Sequence, residues 1–211
     1  MGVMGTKRGL RARLFAALLP ALSRGHLGLS EPWRKKLLGG LAGKVLEIGP
    51  GTGVNLAYLP DGVYWIGLEP NPYLHPHLER ALRLRGLSGE VLWGQAEALP
   101  LPEESVEAVV ATLVLCSVED PRRALAEVRR VLKPGGRFVF LEHVAAPRGS
   151  SLRRAQDLLC PLWGFLGDGC HPNRETLALI QEAGFARVEA EAFALPLPLV
   201  APHVAGVAWK G

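Results

Sequence analysis

The sequence predicts an α/β domain, a mostly parallel sheet with helices on both faces. Three observations carry that prediction. From Lys44 onward, short apolar runs alternate with segments of helical periodicity, the rhythm that builds parallel sheets. The rhythm breaks only at the end, where Leu195-Pro196-Leu197-Pro198-Leu199 and a few neighbours separate the last two strand candidates. That connection is too short for a crossover helix, so the final strand should run antiparallel. Finally, 211 residues at 48% hydrophobic and 21% charged suit one α/β domain with a large core and argue against disorder.

The amino terminus is read first. Lys7, Arg8, Arg11 and Arg13 precede an apolar run from Leu14 to Leu22, interrupted at Pro20. That run is well short of the roughly 20 residues a membrane-spanning helix needs. A basic stretch followed by an apolar one is also the outline of a signal peptide, with Ala21-Leu22-Ser23 as a poor cleavage site. Charges recurring at helical spacing through Arg24, Arg34 and Lys36 favour instead an amphipathic helical cap over residues 1–43. Such a cap leaves room for peripheral contact with a membrane surface.

The sheet elements follow in order. Val45–Ile48 is apolar but for Glu47 and ends in a glycine cluster. Val63–Leu68 is the next strand; after it Asn71 can cap a helix with Pro72 at its first position. Leu74, Leu78, Ala81 and Leu82 give that helix its inward face, and Arg80, Arg83 and Arg85 suit its negative end. Glu90–Gly94 and Val106–Leu113 are further strands, the second buried on both faces. Asp120-Pro121 opens a helix that Lys133-Pro134-Gly135-Gly136 stops. Arg137–His143, a capped helix Asn173–Ala183, and strands Ala186–Phe193 and Val204–Trp209 complete the chain.

Glu47-Ile48-Gly49-Pro50-Gly51-Thr52-Gly53 lies where a ligand meets the carboxyl ends of parallel strands. Glycines there let the backbone turn sharply and approach a ligand closely. Two details separate this loop from a dinucleotide site. The G-x-G-x-x-G pattern wants glycine where Val54 stands. Glu47 would also sit poorly beside a pyrophosphate but well beside a cationic ligand. Glu69, about 20 residues after Gly49 at the end of the second strand, is placed to accept hydrogen bonds from both ribose hydroxyls. A nucleoside bearing positive charge satisfies both acids, which points to S-adenosylmethionine.

Lys44–Gly53, Gly67-Leu68-Glu69-Pro70, Gly94-Gln95-Ala96-Glu97-Ala98-Leu99-Pro100, Thr112–Val118 and Val131–Gly136 resemble, in order, the motifs of class I S-adenosylmethionine-dependent methyltransferases. The resemblance implies a Rossmann-like fold with a seven-stranded sheet whose last strand is antiparallel, in one domain over residues 44–211. It implies a cofactor set of Glu47, Gly49, Gly51, Thr52, Gly53, Asn55, Glu69, Pro70, Gln95, Ala96, Glu97, Thr112 and Leu113. Within that set Gln95 and Ala96 read adenine, and Thr112 and Leu113 lie along the methionine part. Gln95 stands where the family often has Asp and still offers an acceptor to the adenine amino group. Thr112–Val118, Leu141-Glu142-His143-Val144, Asp168-Gly169-Cys170, Arg174-Glu175 and Pro202-His203 further resemble the animal microsomal alkyl-thiol methyltransferases and their bacterial relatives. Those animal proteins carry a longer hydrophobic anchor at the amino terminus.

Methyl transfer from a sulfonium is an in-line displacement, so the protein's main task is alignment. A thiol acceptor, with a pKa of about 8.5, is already partly ionised at neutral pH. A hydroxyl or ammonium needs a base. The candidates are His143 after the fifth strand and the cluster Asp168–His171, in which Asp168 and His171 could act; His143 is as readily a structural histidine. Trp163 and Phe165 either line an acceptor pocket or pack within a covering segment, placed at about 145–173. Cys116 reads as a small core residue. Cys160, Cys170 and His171 lack the paired C-x₂-C spacing of a zinc site, so no metal is expected. The expected activity is methyl transfer from S-adenosylmethionine to a small apolar acceptor, with S-adenosylhomocysteine as product and an alkyl thiol as first choice. Methylation of a lipid amine or quinol, and a cofactor-binding partner subunit without catalysis, are the alternatives.

Composition narrows the setting. A net charge of +4 is spread without a block of like charges, which argues against a dedicated nucleic-acid partner. Three cysteines are too few and odd in number for a disulfide scaffold, which favours a reducing, cytoplasmic compartment.

Overall fold

The computed structural model describes residues 9–211; Lys7 and Arg8, and the side chains of Leu22, Ser23 and Arg24, lie outside that description. Seven strands form one sheet: β1 (Lys44–Ile48), β2 (Tyr64–Leu68), β3 (Ser88–Leu92), β4 (Val106–Thr112), β5 (Leu132–His143), β6 (Arg187–Ala194) and β7 (Pro202–Trp209). Their spatial order is β3-β2-β1-β4-β5-β7-β6. The first five are parallel, and β7 lies antiparallel between β5 and β6. The short Leu195–Leu199 connection therefore makes an antiparallel pair, as its length requires.

Among the described residues five α-helices accompany the sheet: α1 (Leu10–Leu38), α2 (His75–Arg85), α3 (Pro121–Val131), α4 (Ser151–Leu166) and α5 (Thr176–Glu182). Helix α3 shows how sequence becomes packing. Asp120 accepts hydrogen bonds from the Arg122 and Arg123 amides at 3.0 and 3.1 Å, a cap worth about 1 kcal/mol. Ala124, Leu125, Val128 and Val131 recur at helical spacing and are all buried. They join Val109, Phe138 and Phe140 in the core on one side of the sheet, while Val45, Trp65, Val110 and Val139 face the core on the other. Val109 and Val110 thus bury opposite faces of β4, the continuous apolar run of a central strand.

Boundaries depart from the sequence reading where local chemistry competes with the helix. Asn71 does not cap α2, which begins at His75. Its side-chain oxygen instead accepts from the Tyr73 amide in an Asx turn, and its amide donates to the Ala12 carbonyl on α1. Nor does Asn173 cap α5, which starts at Thr176; the Asn173 amide donates to Asp157 on α4. Strand β5 begins at Leu132, which pairs with Val106 before a bulge returns the register at Ala108 and Arg137. After the glycine loop there is only a 3₁₀ helix, Val54–Tyr58.

Helix α1 crosses the carboxyl ends of the strands. It is helical as its spacing predicts, but its arginines do not all face water. Ser30, Arg34 and Leu38, four residues apart, are buried together. Trp33 stacks on Phe193 of β6 at 3.8 Å, and Lys36 pairs with Glu191 at 3.0 Å. Among the described residues no helix is long and apolar enough to cross a membrane.

Candidate active site

Strand order reverses between β1 and β4, and an open α/β sheet has its crevice at that switch point. Two loops meet there. Gly49 and Gly51, in the loop after β1, take φ of 58° and 61°, the left-handed region open to glycine. A Cβ at Gly49 would lie 2.8 Å from Val114 Cγ2 in the loop after β4, so the two loops approach too closely for a side chain. Leu113, the residue after β4, itself holds φ 60° without being glycine, a local strain of the kind concentrated at functional sites.

Glu69 follows the last residue of β2 at this crevice. Its Oε2 accepts from the Gly51 amide at 3.1 Å and its Oε1 from the Asn71 amide at 2.9 Å. The carboxylate thereby locks the glycine loop to β2 and lines the cavity.

Glu47 is placed differently from its expected position beside a ligand. It is 2% exposed and accepts from Trp65 Nε1 at 2.8 Å and from Asn55 Nδ2 at 2.7 Å. Asn55 also receives a hydrogen bond from the Arg34 guanidinium and donates to Thr112 Oγ1 at 2.9 Å. Arg34, not Glu47, reaches the cavity wall. Burial pushes the Glu47 carboxyl above its usual range, against the pull of Trp65, Asn55 and the Arg34 charge. The reason Glu47 points inward is the alternation of β1, which puts it beside Trp65 of β2 and supplies a donor for each oxygen. Gly53 and Asn55 likewise support the loop from behind rather than forming its wall.

The cavity has a volume of about 600 Å³. Its wall includes Gly49, Gly51 and Thr52, then Glu69 and Pro70, then Gln95, Ala96 and Glu97, with Thr112 and Leu113 at the end of β4. Gln95 pairs with Ala98 in an isolated bridge, and Glu97 accepts from the Glu119 amide at 2.8 Å, tying this loop to the start of α3.

Beyond β4 the cavity continues over β5 and β7. His143, the last residue of β5, is 5% exposed and its Nε2 lies 3.0 Å from Cys170 Sγ. Cys116 joins them: the ligand atoms of Cys116, His143 and Cys170 all lie within 4.8 Å of one another. Burial and the neighbouring Cys116 push the Cys170 thiol up, with hydrogen bonding to Cys116 the larger cause. Asp168, at φ 52°, lines the cavity at the turn that sends Cys170 inward. His171 is exposed and does not reach the cavity; its amide donates to the Cys116 carbonyl at 2.9 Å. Trp163 lines the cavity and Phe165 does not; its ring is 65% exposed beneath the Arg11 guanidinium.

Two positioning groups stand in motifs that the sequence reading quoted without giving them a role of their own. Glu142 is fully buried and its Oε1 accepts from the Val114 and Leu115 amides at 3.0 and 3.1 Å, fixing the loop that carries Cys116. His203 on β7 lies 2.9 Å from His26 on α1, nitrogen to nitrogen. A glutamate inside an apolar strand run was the available signal for the first. The second needed the β5–β7 pairing, which sets His143 opposite His203.

A family model described as a methyltransferase domain matches residues 46–140. The chain is 42% identical to the human thiol S-methyltransferase TMT1B over 223 residues, covering 100% of this chain and 91% of that protein. It is 39% identical to human thiol S-methyltransferase TMT1A, covering 81% and 73%. A crystal structure of a methyltransferase dependent on S-adenosylmethionine from Thermotoga maritima superposes with a TM-score of 0.67 at 24% identity, covering 96% of this chain and 100% of that one.

Proposed function

Because the chain belongs to the class I S-adenosylmethionine-dependent methyltransferases and so uses S-adenosylmethionine, we propose that it methylates a small, largely apolar thiol at the sulfur. The observation that carries this reading is the division of the cavity at β4. On the β1–β2 side stand backbone amides, Glu69 and the Gln95–Glu97 loop; on the β5–β7 side stand Cys116, His143, Trp163, Leu166, Cys170 and Val200. The first half suits a nucleoside and the second a soft, apolar acceptor.

The cofactor set retains Gly49, Gly51, Thr52, Glu69, Pro70, Gln95, Ala96, Glu97, Thr112 and Leu113 as wall, with Glu47, Gly53 and Asn55 as the support behind them. Glu69 takes the ribose hydroxyls. Gln95 and Ala96 take adenine. Thr112 and Leu113 flank the methionine part and direct the methyl toward β5. A thiolate enters the field of the sulfonium favourably and, at a pKa of about 8.5, needs little help from a base at neutral pH. His143 and Asp168 are the side chains within reach of the acceptor's proton; His171 acts on the Cys170 loop.

Residues 1–43 serve as a helical cap on the domain 44–211, and segment 145–173 covers the acceptor side. The cap and α4 meet where Arg11 donates to the Gly164 carbonyl at 3.1 Å. A reducing compartment such as the cytoplasm suits both the acceptor and the free cysteines. The test is a screen of labelled cofactor against alkyl thiols, amines, phenols and quinols. Label in thioethers supports the reading. Label in amines or quinols and none in thiols overturns the acceptor and leaves the methyltransferase.

A further inference from the structure

Cys116, His143 and Cys170 come from three separate stretches of chain: the loop after β4, the end of β5 and the loop after α4. They converge on one point of the cavity wall. We propose that these three side chains bind a thiophilic divalent cation, zinc by chemical class, with its fourth position open to the cavity. This site rests on the thiol reading above for its role, but not for its existence.

The ligand chemistry selects the ion. Two sulfurs and an imidazole form the Cys₂His set of catalytic zinc sites, which keep one position for water or substrate. With Zn–S near 2.3 Å and Zn–N near 2.0–2.1 Å, a tetrahedral site needs ligand atoms about 3.6–3.8 Å apart. Atoms already within 4.8 Å of one another are about an ångström or less from that spacing.

The backbone holds the three ligands together without help from an ion. The His171 amide donates to the Cys116 carbonyl at 2.9 Å, and Arg174 donates to the Leu115 and Val118 carbonyls, stapling the Cys170 loop to the Cys116 loop. Glu142 holds the Cys116 loop against β5, next to His143. Asp168 and Gly169 accept left-handed φ of 52° and 92° at the turn that aims Cys170 inward. His143 Nδ1 is buried with no hydrogen-bond partner, so no protein acceptor or donor fixes the ring from that side. The ring is placed by its contact with Cys170 and by edge-on packing against His203 at 6.3 Å.

At such a centre an alkyl thiol would replace bound water. Its S–H proton leaves to solvent and the thiolate sulfur bonds to the cation. That sulfur then attacks the cofactor methyl; the carbon–sulfonium bond breaks and its electron pair returns to the cofactor sulfur. The neutral thioether is a weak ligand and departs.

The experiment uses the full chain, stripped with a chelator and titrated with Co²⁺ as a spectroscopic stand-in for zinc. The expected result is saturation near about one ion per chain, with an intense near-ultraviolet thiolate band and the visible bands of a tetrahedral site. Cys116→Ser and Cys170→Ser should each lose most of the thiolate band and weaken the ion by more than about a hundredfold, beyond the effect of removing an outer-shell partner. Cys160→Ser should keep the band, since Cys160 instead donates to Asn173 at 3.3 Å. Cofactor binding by calorimetry reports that each variant is folded. An alkanethiol added to the cobalt protein should shift the visible bands. No thiolate band in the parent chain, or an equal band in folded Cys116→Ser and Cys170→Ser, overturns the site. Undiminished thiol methylation by metal-free protein overturns its role and leaves the thiol reading standing. A cobalt site in a protein that methylates no thiol supports the site and sinks the thiol reading instead.

Discussion

His26 Nε2 lies 2.9 Å from His203 Nε2, so α1 and β7 share a single hydrogen between two rings. At least one ring must be neutral at that nitrogen for the contact to exist. Burial, then the charges of His203, Arg34 and His143, lower His26 to about 3, and burial lowers His203 as well.

Acid should therefore loosen the cap. A histidine whose folded pKa lies below its unfolded value gives full stability above the unfolded value, near 6.5, and loses it as pH falls toward the folded one. His26 alone should cost about 2 kcal/mol by pH 5. Urea denaturation at pH 7 and pH 5 checks this, with His26→Gln expected to flatten the difference.

Glu69→Ala should weaken S-adenosylmethionine binding by about 1.5–3 kcal/mol, the range for lost hydrogen bonds to a charged group. Two effects combine in that figure: loss of the ribose acceptor and release of the Gly51 amide. Calorimetric titration measures it, and unchanged affinity in a folded variant would remove Glu69 from the site.

Gly49→Ala should damage the site more than the fold. A left-handed residue other than glycine costs about 1–2 kcal/mol, and the added methyl would meet Val114 Cγ2 at 2.8 Å. The loops after β1 and β4 must then separate. Cofactor affinity should fall by at least about tenfold while circular dichroism stays that of the parent.

Arg34→Ala should be among the costliest single changes in α1. It removes the cation that acts on the buried Glu47 carboxylate through Asn55 and leaves Ser30 and Asn55 without their charged donor, a loss of about 1.5–3 kcal/mol. Adding Glu47→Gln to the same chain should recover much of that loss, because the amide has no charge to neutralise. Equal stability of the single and double variants in urea would rule out the coupling.

Most of the sheet was legible because each strand carries its own period. Val106–Leu113 reads as a central strand from its apolar run, and the observed strand is Val106–Thr112; the final antiparallel pair reads from the length of one connection. Caps were legible only where nothing competed. Asp120 binds its own helix, whereas Asn71 and Asn173 find partners on α1 and α4 that no local rule anticipates. The glycine loop and Glu69 were readable as motifs. Arg34 was not, since a charge at helical spacing reads as a solvated face until Glu47 and Asn55 are known to lie opposite. The Cys116–His143–Cys170 convergence was invisible for the same reason: its members are far apart in the chain and meet only through the order of β4 and β5.

Helix α1 lies over both halves of the cavity, with Phe15 and Leu19 on its wall and Leu19 Cδ2 3.2 Å from where a Cβ on Gly51 would be. That helix contains Pro20 and Pro32, each removing one internal hydrogen bond, and Gly25 and Gly28 between them. These residues weaken the helix ladder in its middle, where the His26–His203 contact ties it to β7. If release requires this stretch of α1 to lift, opening paces turnover and the first catalytic cycle should outrun those that follow it, which a pre-steady-state burst measured by rapid quench checks.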